Sequence, residues 1–436
     1  MKEMEYFFSV IIPVFNSEDY LFQSVISVLS QKYNRVEIIL VNDCSTDKST
    51  EICGFLSEQY PEVRVINNEK NLGVGISRNK GIKFANGKYI IFLDSDDELF
   101  PESLEHLEKN ILSKSHPDVA IVHYKKDTFP RSNYDLLEAN KNHGHDIDQL
   151  MTYVLKNEFP FSDQWSFVVN NSFITANDIY FSNTRIGESE YFVAKLVCAM
   201  KTFICVMQPF YKKKDRDGGL NHTVGFQAAY ATLENTIDLY SDFRVKNYSG
   251  QRLDFYQSYI QSCLGVFSGL LITLESNEIK KIAELLVENK DKIYGLIKQP
   301  EKINFYQELS NVSSFQGLLN IRKKITKSKV KLIKEFNLKK DIYLYCRSKY
   351  TSASIKLLNE SGYKIKGIVD DNDQFSGTKL DGYETITTKT LFNNIDSNID
   401  ENLIIITHQR NKTISKITKN LVENNIKRNQ IISITY

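Results

Sequence analysis

The chain has 436 residues, 42% of them hydrophobic and 25% charged, which is the composition of a folded globular protein rather than of a disordered or fibrous one. Its 55 Lys and Arg nearly cancel its 54 Asp and Glu, so the overall charge offers no strong field for nucleic acid. The six cysteines are scattered and include no C-x-x-C pair, which argues against a zinc site and against a disulfide framework.

The beginning of the chain, MKEMEYFFSVIIPVF, lacks the pattern of a signal peptide. No apolar run approaches the roughly 20 residues of a transmembrane helix. We therefore expect a cytoplasmic protein. Peripheral contact with the inner face of the membrane and assembly into a homo-oligomer are both left open.

Residues 7–125 alternate short apolar runs with amphipathic segments such as 17–30 and 49–59. This βαβα order predicts an α/β fold with a mainly parallel, doubly wound sheet and right-handed crossovers. The predicted strands are Phe8–Val14, Val36–Asn42, Val63–Asn67, Tyr89–Leu93 and Val119–Tyr124.

The rest of the chain predicts two further parts. Residues 130–225 are less regular and are interpreted as an elaboration of a first domain at 1–225, whereas 226–330 follow a helical period. From residue 341 the βα rhythm returns in DIYLYCRS, SASIKLLNESG, YKIKGIVDD and ENLIIITH, which predicts a small α/β domain at 331–436. The lysine-rich stretch 321–336 is interpreted as a link, with a solvated basic face favoured over a site for acidic lipid headgroups.

Three carboxylates follow directly on a buried strand in YIIFLDSDDELF. Asp94 and Asp96 are spaced i, i+2, so in extended backbone their side chains point the same way. Two converging carboxylates repel unless a cation lies between them or one takes a proton. Hard oxygen ligands in this small number suit Mg²⁺ or Mn²⁺, although acidic turns without a metal are common.

Two other clusters fall near predicted strand ends. In IILVNDCSTDKST, helix capping explains the hydroxyl residues but not Asp43, which lies closer to the strand. In NEKNLGVGISRNKGI, Gly73 and Gly75 allow close approach to the backbone, and Arg78 could hold an anion, although turn formation explains the glycines equally well. Together with VIIPVFN, these clusters predict a pocket for a metal-bound diphosphate.

In their order and spacing, the four stretches resemble the GT-A fold glycosyltransferases of family 2, strongly over residues 7–125 and more faintly over 155–225. The resemblance implies a Rossmann-like nucleotide-sugar-binding domain. It implies inverting transfer of a sugar from a nucleoside diphosphate sugar, with Mn²⁺ or Mg²⁺. We expect a saccharide or a lipid-linked saccharide as acceptor, in the synthesis of a bacterial surface polysaccharide or glycolipid.

The resemblance also implies roles in binding the donor. Pro13 and Phe15 would border the nucleotide, and Asp43 would accept a hydrogen bond from the base, commonly uracil. A UDP-linked donor is therefore expected. Asp94 would lie near the ribose, and Arg78 would stand beside the diphosphate.

The resemblance implies a second set of residues, which would bind the metal and supply the catalytic base. Asp96 would bind the metal, and His222 would be a third ligand or a phosphate contact, unless it is only a surface residue. The base usually belongs to a Glu-Asp pair, and RIGESEYFVAKL has Glu188 followed by Ser189. Serine cannot accept the proton near neutral pH, so Glu188 is the first candidate and Glu190 the second; a merely favourable charge at a helix start is the alternative.

Two other functions compete with that of a glycosyltransferase. A sugar-phosphate nucleotidyltransferase would want a glycine-rich basic loop after the first strand, and PVFNSED has none. A non-catalytic scaffold that binds nucleotide sugars is the stronger alternative because of Ser189. The C-terminal part resembles small Rossmann-like domains of sugar-modifying enzymes, but YCRSKYTSAS lacks their glycines, which favours packing or docking over cofactor binding.

Overall fold

A computed structural model describes residues 6–126, 136–138, 146–156, 163–214, 225–246, 248–289, 315–334, 341–345, 349–371, 375–395, 402–407, 411–424, 426–427 and 430–433. The chain divides into two compact units. The first comprises Met1–Gly219 and Tyr248–Ser258, and the second comprises Leu220–Asn247 and Tyr259–Tyr436. The division into domains at 1–225, 226–330 and 331–436 stays a prediction.

Eight strands form one sheet among the described residues of the first unit. They are β1 (Phe8–Val14), β2 (Val36–Asn42), β3 (Val63–Asn67), β4 (Tyr89–Phe92), β5 (Glu98–Leu99), β6 (Val119–Lys126), β7 (Phe167–Asn170) and β8 (Phe203–Lys213). Their order is β3-β2-β1-β4-β7-β6-β8-β5. β1, β2 and β4 are buried along their whole length, because apolar side chains cover both faces of these strands.

The parallel pairing predicted for this sheet holds in its first half. β1 pairs in parallel with β2 and β4, and β2 with β3. The second half is mixed, since β7 runs antiparallel to β4 and β6, and β5 runs antiparallel to β8. β8 was not predicted. Its period-2 pattern is interrupted at Pro209, where the pairing with β6 shifts register, and a proline offers no N–H to a ladder.

The helices that connect the parallel strands of the first unit begin at the carboxyl edge of the sheet. The described helices up to residue 199 are α1 (Leu21–Leu29), α2 (Ser49–Gln59), α3 (Val74–Phe84), α4 (Ser103–Ser113), α5 (Ile147–Lys156), α6 (Asn171–Ala176) and α7 (Glu188–Ala199), with a 3₁₀ turn at Gln164–Ser166. α1 begins four residues later than the predicted segment 17–30, because the Ser17 N–H donates to Ser49 Oγ at 2.8 Å and holds the chain in a loop.

Four further helices occupy the described part of 226–334: α8 (Phe226–Lys246), α9 (Gln251–Thr273), α10 (Ser276–Glu288) and α11 (Phe315–Lys334). Three more lie in the C-terminal part: α12 (Lys349–Glu360), α13 (Thr388–Ile395) and α14 (Asn411–Glu423). None of the described helices combines the length and the apolar character that a membrane crossing needs.

The described C-terminal part of the second unit contains a six-stranded sheet. Its strands are β9 (Asp341–Tyr345), β10 (Ile365–Val369), β11 (Lys379–Leu380), β12 (Tyr383–Ile386), β13 (Asn402–Ile406) and β14 (Ile431–Ser433). The order is β11-β12-β10-β9-β13-β14, and all pairs are parallel except β11 with β12. The chain turns after α12 at Gly362, whose φ of 79° is the left-handed conformation that glycine adopts most readily.

Candidate active site

Parallel strands bring the predicted site residues to one edge of the first sheet. At the ends of β1 and β2, Val14 pairs with Asn42, and the Asp43 N–H donates to the Val14 carbonyl at 2.8 Å. Asp94 lies two residues beyond the end of β4, which neighbours β1 on its other side. Because parallel strands end at a common edge, this is the edge at which open α/β sheets bind ligands.

An exposed aromatic ring stands at the end of β1. Pro13 lies within the strand, and Phe15, one residue past it, keeps 44% of its surface exposed. The next residue, Asn16, has a φ of 49° and accepts the Thr46 backbone N–H on Oδ1 at 2.8 Å. This bond ties the loop after β1 to the loop after β2, so the ring has a fixed place at the edge.

Asp43 is buried and holds the loop that leads into α3. Its Oδ1 accepts hydrogen bonds from Asn68 Nδ2 and the Leu72 N–H, and its Oδ2 accepts one from the Gly73 N–H, all at 2.8 Å. Gly73 has a φ of 97°, where a side chain would be strained. Since a carboxylate has about four acceptor positions, Asp43 retains about one for a ligand, and its predicted bond to a base stays a prediction.

An acid cluster follows β4. One carboxylate oxygen from each of Asp94, Asp96 and Asp97 lies within 4.8 Å of the others. Asp97 is fully buried, and both of its oxygens accept hydrogen bonds from the end of β8: from the Tyr211 hydroxyl at 2.7 Å, Lys213 Nζ at 3.0 Å and the Lys214 N–H at 2.8 Å. Asp97 thus anchors the cluster to β8.

Burial and nearby charges shift the pKa values of this cluster. Burial raises the pKa of Asp97 to about 6, although Lys213 opposes this change. Burial also raises the pKa of Asp94, but the charges of Arg78 and Lys213 outweigh it, and the pKa lies below its ordinary value. Three crowded carboxylates fit a divalent cation with hard oxygen ligands. Both Asp97 oxygens already accept hydrogen bonds, and Asp94 Oδ1 accepts one from Arg78 Nη2, so a cation would compete with these donors.

Arg78, on α3, is a buried arginine that contacts two carboxylates from distant parts of the sequence. Its Nη2 donates to Asp94 Oδ1 at 2.7 Å, and its Nη1 donates to Glu188 Oε1 at 3.1 Å. Its guanidinium carbon lies 5.2 Å from the centre of the Phe181 ring. Burial lowers the pKa of Arg78, but Asp94 and Glu188 outweigh that effect, so the guanidinium stays charged.

Glu188 begins α7, and its side chain is only 11% exposed. Ser189 Oγ donates to Glu188 Oε1 at 3.0 Å, the same oxygen that Arg78 binds. Among the described residues, no hydrogen bond reaches Glu188 Oε2. Ser189, which stands where the resemblance expects an aspartate, therefore helps to orient Glu188. Glu190, in the same first turn, is half-buried.

Gly75 allows α3 and α7 to approach each other at this point. A Cβ at residue 75 would lie 2.8 Å from the Ser182 carbonyl oxygen and 3.0 to 3.1 Å from Cγ and Cβ of Glu188. Any larger residue would have to push Glu188 away. The close packing of α3 against α7 therefore requires glycine at residue 75, a reason that turn formation in NEKNLGVGISRNKGI does not give.

The structure therefore brings part of the predicted site together. Arg78 and Glu188 lie with the acid cluster, and Pro13, Phe15 and Asp43 lie at the same sheet edge on β1 and β2. The roles assigned to them stay predictions. His222 falls in 215–224, outside the residues that the structure describes, and its metal role is untested.

Sequence reasoning missed the contribution of β8. Lys213 lies between Asp97 at 3.0 Å and Asp94 at 3.6 Å, with 16% of its side chain exposed. Its Nζ also lies 4.4 Å from the centre of the Trp165 ring. The available signal was the i, i+2 spacing of Tyr211 and Lys213, which places both on one face of a strand.

Known proteins resemble parts of this chain. The family model described as Glycosyl transferase family 2 matches residues 9–166. Glycosyltransferase GlyG of Streptococcus pneumoniae serotype 4 is 30% identical over 230 residues, 49% of this chain and 73% of GlyG. The minor teichoic acid biosynthesis protein GgaB of Bacillus subtilis (strain 168) is 28% identical over 233 residues, 50% of this chain. The chain spans only 24% of the length of GgaB.

Among solved structures, S. aureus TarS 1–349 in complex with UDP-GlcNAc matches 74% of this chain and 92% of that chain, with a TM-score of 0.53 and 18% identity. At this identity the likeness concerns the fold alone. It agrees with the mixed sheet of the first unit and with the resemblance found in the sequence. The match to the family model and the identity shared along most of GlyG show that this chain belongs to glycosyl transferase family 2, with the GT-A fold.

Proposed function

We propose that the chain transfers a sugar from a UDP-linked donor to a hydroxyl of a saccharide or lipid-linked saccharide, during synthesis of a surface polysaccharide or glycolipid. The contact that carries the proposal is Arg78, which binds Asp94 on the acid-cluster side and Glu188 on the other. A transferase needs a binding place for the diphosphate of the donor and a base that deprotonates the acceptor hydroxyl. UDP-GlcNAc bound to TarS supports the donor class, and the teichoic acid pathway of GgaB supports the acceptor class.

On the donor side, the exposed ring of Phe15 would stack on the base beside Pro13, and Asp43 would accept a hydrogen bond from it. Asp43 can offer one acceptor position because its other positions hold the loop from Asn68 to Gly73. Arg78 would stand beside the diphosphate, close to the ribose contact of Asp94. These contacts fit a nucleoside diphosphate whose base stacks on a ring and donates a hydrogen bond, as uracil does.

Asp96 would hold Mn²⁺ or Mg²⁺ beside Asp94, and His222 is the further predicted ligand. When bound, the ion would neutralise charge that grows on the departing diphosphate. Asp97 would have a structural role. Through Tyr211 and Lys213 it fixes the acid cluster to β8, so Asp94 and Asp96 would keep their positions when the donor binds.

Glu188 would take the proton from the acceptor hydroxyl, as inverting transfer requires. Arg78 and Ser189 both donate to Oε1, which fixes the side chain, and among the described residues no hydrogen bond reaches Oε2. A positioned carboxylate needs such fixed donors, because a loose base loses the geometry of proton transfer. Glu190 is the second candidate. Contact with a membrane would follow from a lipid-linked acceptor.

The test is release of UDP from a panel of UDP-sugars, with Mn²⁺ and with saccharide and lipid-linked acceptors. Glu188→Gln is expected to lose turnover while binding UDP as well as the wild type, and Glu190→Gln is the matched control that should keep turnover. If Glu190→Gln is the inactive variant, the base is Glu190. If no acceptor supports turnover although the donor binds, the chain is the non-catalytic scaffold.

A further inference from the structure

Three buried polar atoms around Asp94 have no hydrogen-bond partner among the described residues. They are Arg78 Nε, Gln164 Oε1 and Trp165 Nε1. Buried polar atoms in folded proteins are almost always paired, so such atoms call for an explanation. Arg78 and Gln164 both donate to Asp94 Oδ1, so their side chains belong to the site. Trp165 follows Gln164 in sequence, and the centre of its ring lies 4.4 Å from Lys213 Nζ.

Gln164 is the most informative of the three. The residue is 1% exposed, and its Nε2 donates to Asp94 Oδ1 at 3.3 Å. A carboxylate can only accept, so the amide must present its NH₂ to Asp94. This settles the orientation of the amide, and Oε1 is left as a buried acceptor beside the acid cluster. The missing partner must therefore carry a hydrogen.

Only some ligand groups can donate a hydrogen bond to Gln164 Oε1. The oxygens of a diphosphate only accept, and a metal ion would be drawn to the carboxylates first. A sugar hydroxyl, or an acetamido N–H, can donate to Gln164 Oε1. A hydroxyl can at the same time accept from Trp165 Nε1 or Arg78 Nε, which are donors without partners. An uncharged, hydroxyl-bearing ligand thus fits Gln164 Oε1 better than a diphosphate or a metal ion does.

The position of Gln164 favours contact with the transferred sugar. The 3₁₀ turn Gln164–Ser166 packs against α7, the helix that begins at Glu188. Gln164 also donates to Asp94, which Arg78 joins to Glu188, so Gln164 lies near the acid cluster and the candidate base. If Glu188 deprotonates the acceptor, the sugar must lie between that base and the metal-bound diphosphate, which is the place that Gln164 borders.

We infer that Gln164 is a specificity-determining residue whose Oε1 accepts a hydrogen bond from a hydroxyl or acetamido N–H of the transferred sugar, an inference that rests on the proposed function. The group can select its ligand strongly, because a sugar without the matching donor leaves the buried carbonyl unpaired. Asp94 positions the amide, and the sugar completes its hydrogen bonding.

The experiment measures how tightly the full chain binds UDP and UDP-sugars in the presence of Mn²⁺. The UDP-sugars are the tightest binder among UDP-glucose, UDP-galactose and UDP-GlcNAc, and the monodeoxy analogues of that sugar. The variants are Gln164→Leu and Gln164→Met, which keeps the length of the side chain if the leucine variant folds poorly. We expect affinity for the UDP-sugar to fall about tenfold in the variants, with UDP affinity changed less than about twofold.

The deoxy analogues make the assignment specific. In the wild type, one analogue should bind about tenfold more weakly than the parent sugar, and in the Gln164 variants the same analogue should show no further loss, as in a double-mutant cycle. Equal loss for UDP and the UDP-sugar would overturn the inference, since it would assign the residue to the ribose or to structure alone. A wild type that binds UDP but no UDP-sugar, or binds neither, would instead overturn the proposed function together with it.

Discussion

Asp94 and Glu188 are held by the same guanidinium group: Arg78 donates to Asp94 from Nη2 at 2.7 Å and to Glu188 from Nη1 at 3.1 Å. One carboxylate belongs to the acid cluster and the other begins α7. The site therefore depends on a single buried cation that connects its donor side with its candidate base.

Replacement of Arg78 by lysine should damage both stability and turnover. A lysine ammonium is a compact point charge that cannot reach two carboxylates as a planar guanidinium does. Because one partner of a buried ion pair is then left uncompensated, we expect a loss of about 3–5 kcal/mol in the free energy of unfolding. Urea unfolding followed by fluorescence of Trp165, the single tryptophan, reports on the first unit.

The matched control is Arg35→Lys, in an ion pair with Glu108 whose arginine side chain is 47% exposed. Exposed pairs contribute about 0–1 kcal/mol, so this variant should unfold nearly as the wild type does. Equal stability of Arg78→Lys and Arg35→Lys would contradict the structural role given to Arg78.

Gly75→Ala should disturb Glu188 without removing any charged group. The new Cβ would lie 2.8 Å from the Ser182 carbonyl oxygen, and relief of that contact must move α7 or α3. Overpacking of this kind costs about 1–3 kcal/mol, and turnover should fall further than stability because the base is displaced. Turnover is measured as UDP release.

Gly54→Ala, in α2, is the control for that experiment, because nothing lies within 4 Å of the added Cβ. Alanine in the interior of a helix is favoured over glycine by about 0.5–1 kcal/mol, so this variant should be slightly more stable and fully active. A Gly75→Ala enzyme with wild-type turnover would show that Glu188 does not need its observed position.

Tyr211→Phe tests whether β8 supports the acid cluster. The Tyr211 hydroxyl donates to Asp97 Oδ2 at 2.7 Å and accepts the Asp94 N–H at 3.1 Å. Its removal leaves two buried groups each short of a partner, and we expect a loss of about 1–3 kcal/mol in unfolding free energy, together with weaker Mn²⁺ binding.

Tyr60→Phe serves as the comparison, since no hydrogen bond of the Tyr60 hydroxyl is found among the described residues and the change should stay within about 0.5 kcal/mol. Titration with Mn²⁺, followed by its electron paramagnetic resonance signal, measures the metal. Unchanged Mn²⁺ affinity in Tyr211→Phe would mean that β8 does not position the ligands.

Asp43→Ala should abolish the response to uridine nucleotides. A ligand that binds only the native form raises the melting temperature, and UDP with Mn²⁺ is expected to do so in the wild type. The variant loses the base contact and the three hydrogen bonds that hold the loop to Gly73. A thermal shift with UDP in Asp43→Ala equal to that of the wild type, with ADP as the comparison nucleotide, would refute the assignment.

The local order of the first half of the sheet could be predicted from the sequence. β1, β2 and β3 have the predicted bounds because each is a short apolar run between turn residues, and the carboxylate spacing beyond β4 predicted the acid cluster. These features depend on neighbours in sequence, which a pattern can show.

The connections within the site could not be predicted. Arg78 and Glu188 meet only because α3 and α7 pack closely at Gly75, and Lys213 reaches Asp97 only because β8 follows β6 to the same edge. Such contacts join residues more than a hundred positions apart and leave no period in the sequence. Gln164 lies in a 3₁₀ turn of three residues, which is too short to show a hydrophobic period in the sequence.

The most direct measurement of the central claim is the anomalous scattering of Mn²⁺ in crystals of the full chain soaked with MnCl₂ and UDP. The account predicts a manganese peak at a coordination distance of about 2 Å from a carboxylate oxygen of Asp96, with the diphosphate bound to the ion. A manganese peak elsewhere, with UDP bound away from the acid cluster, would contradict it.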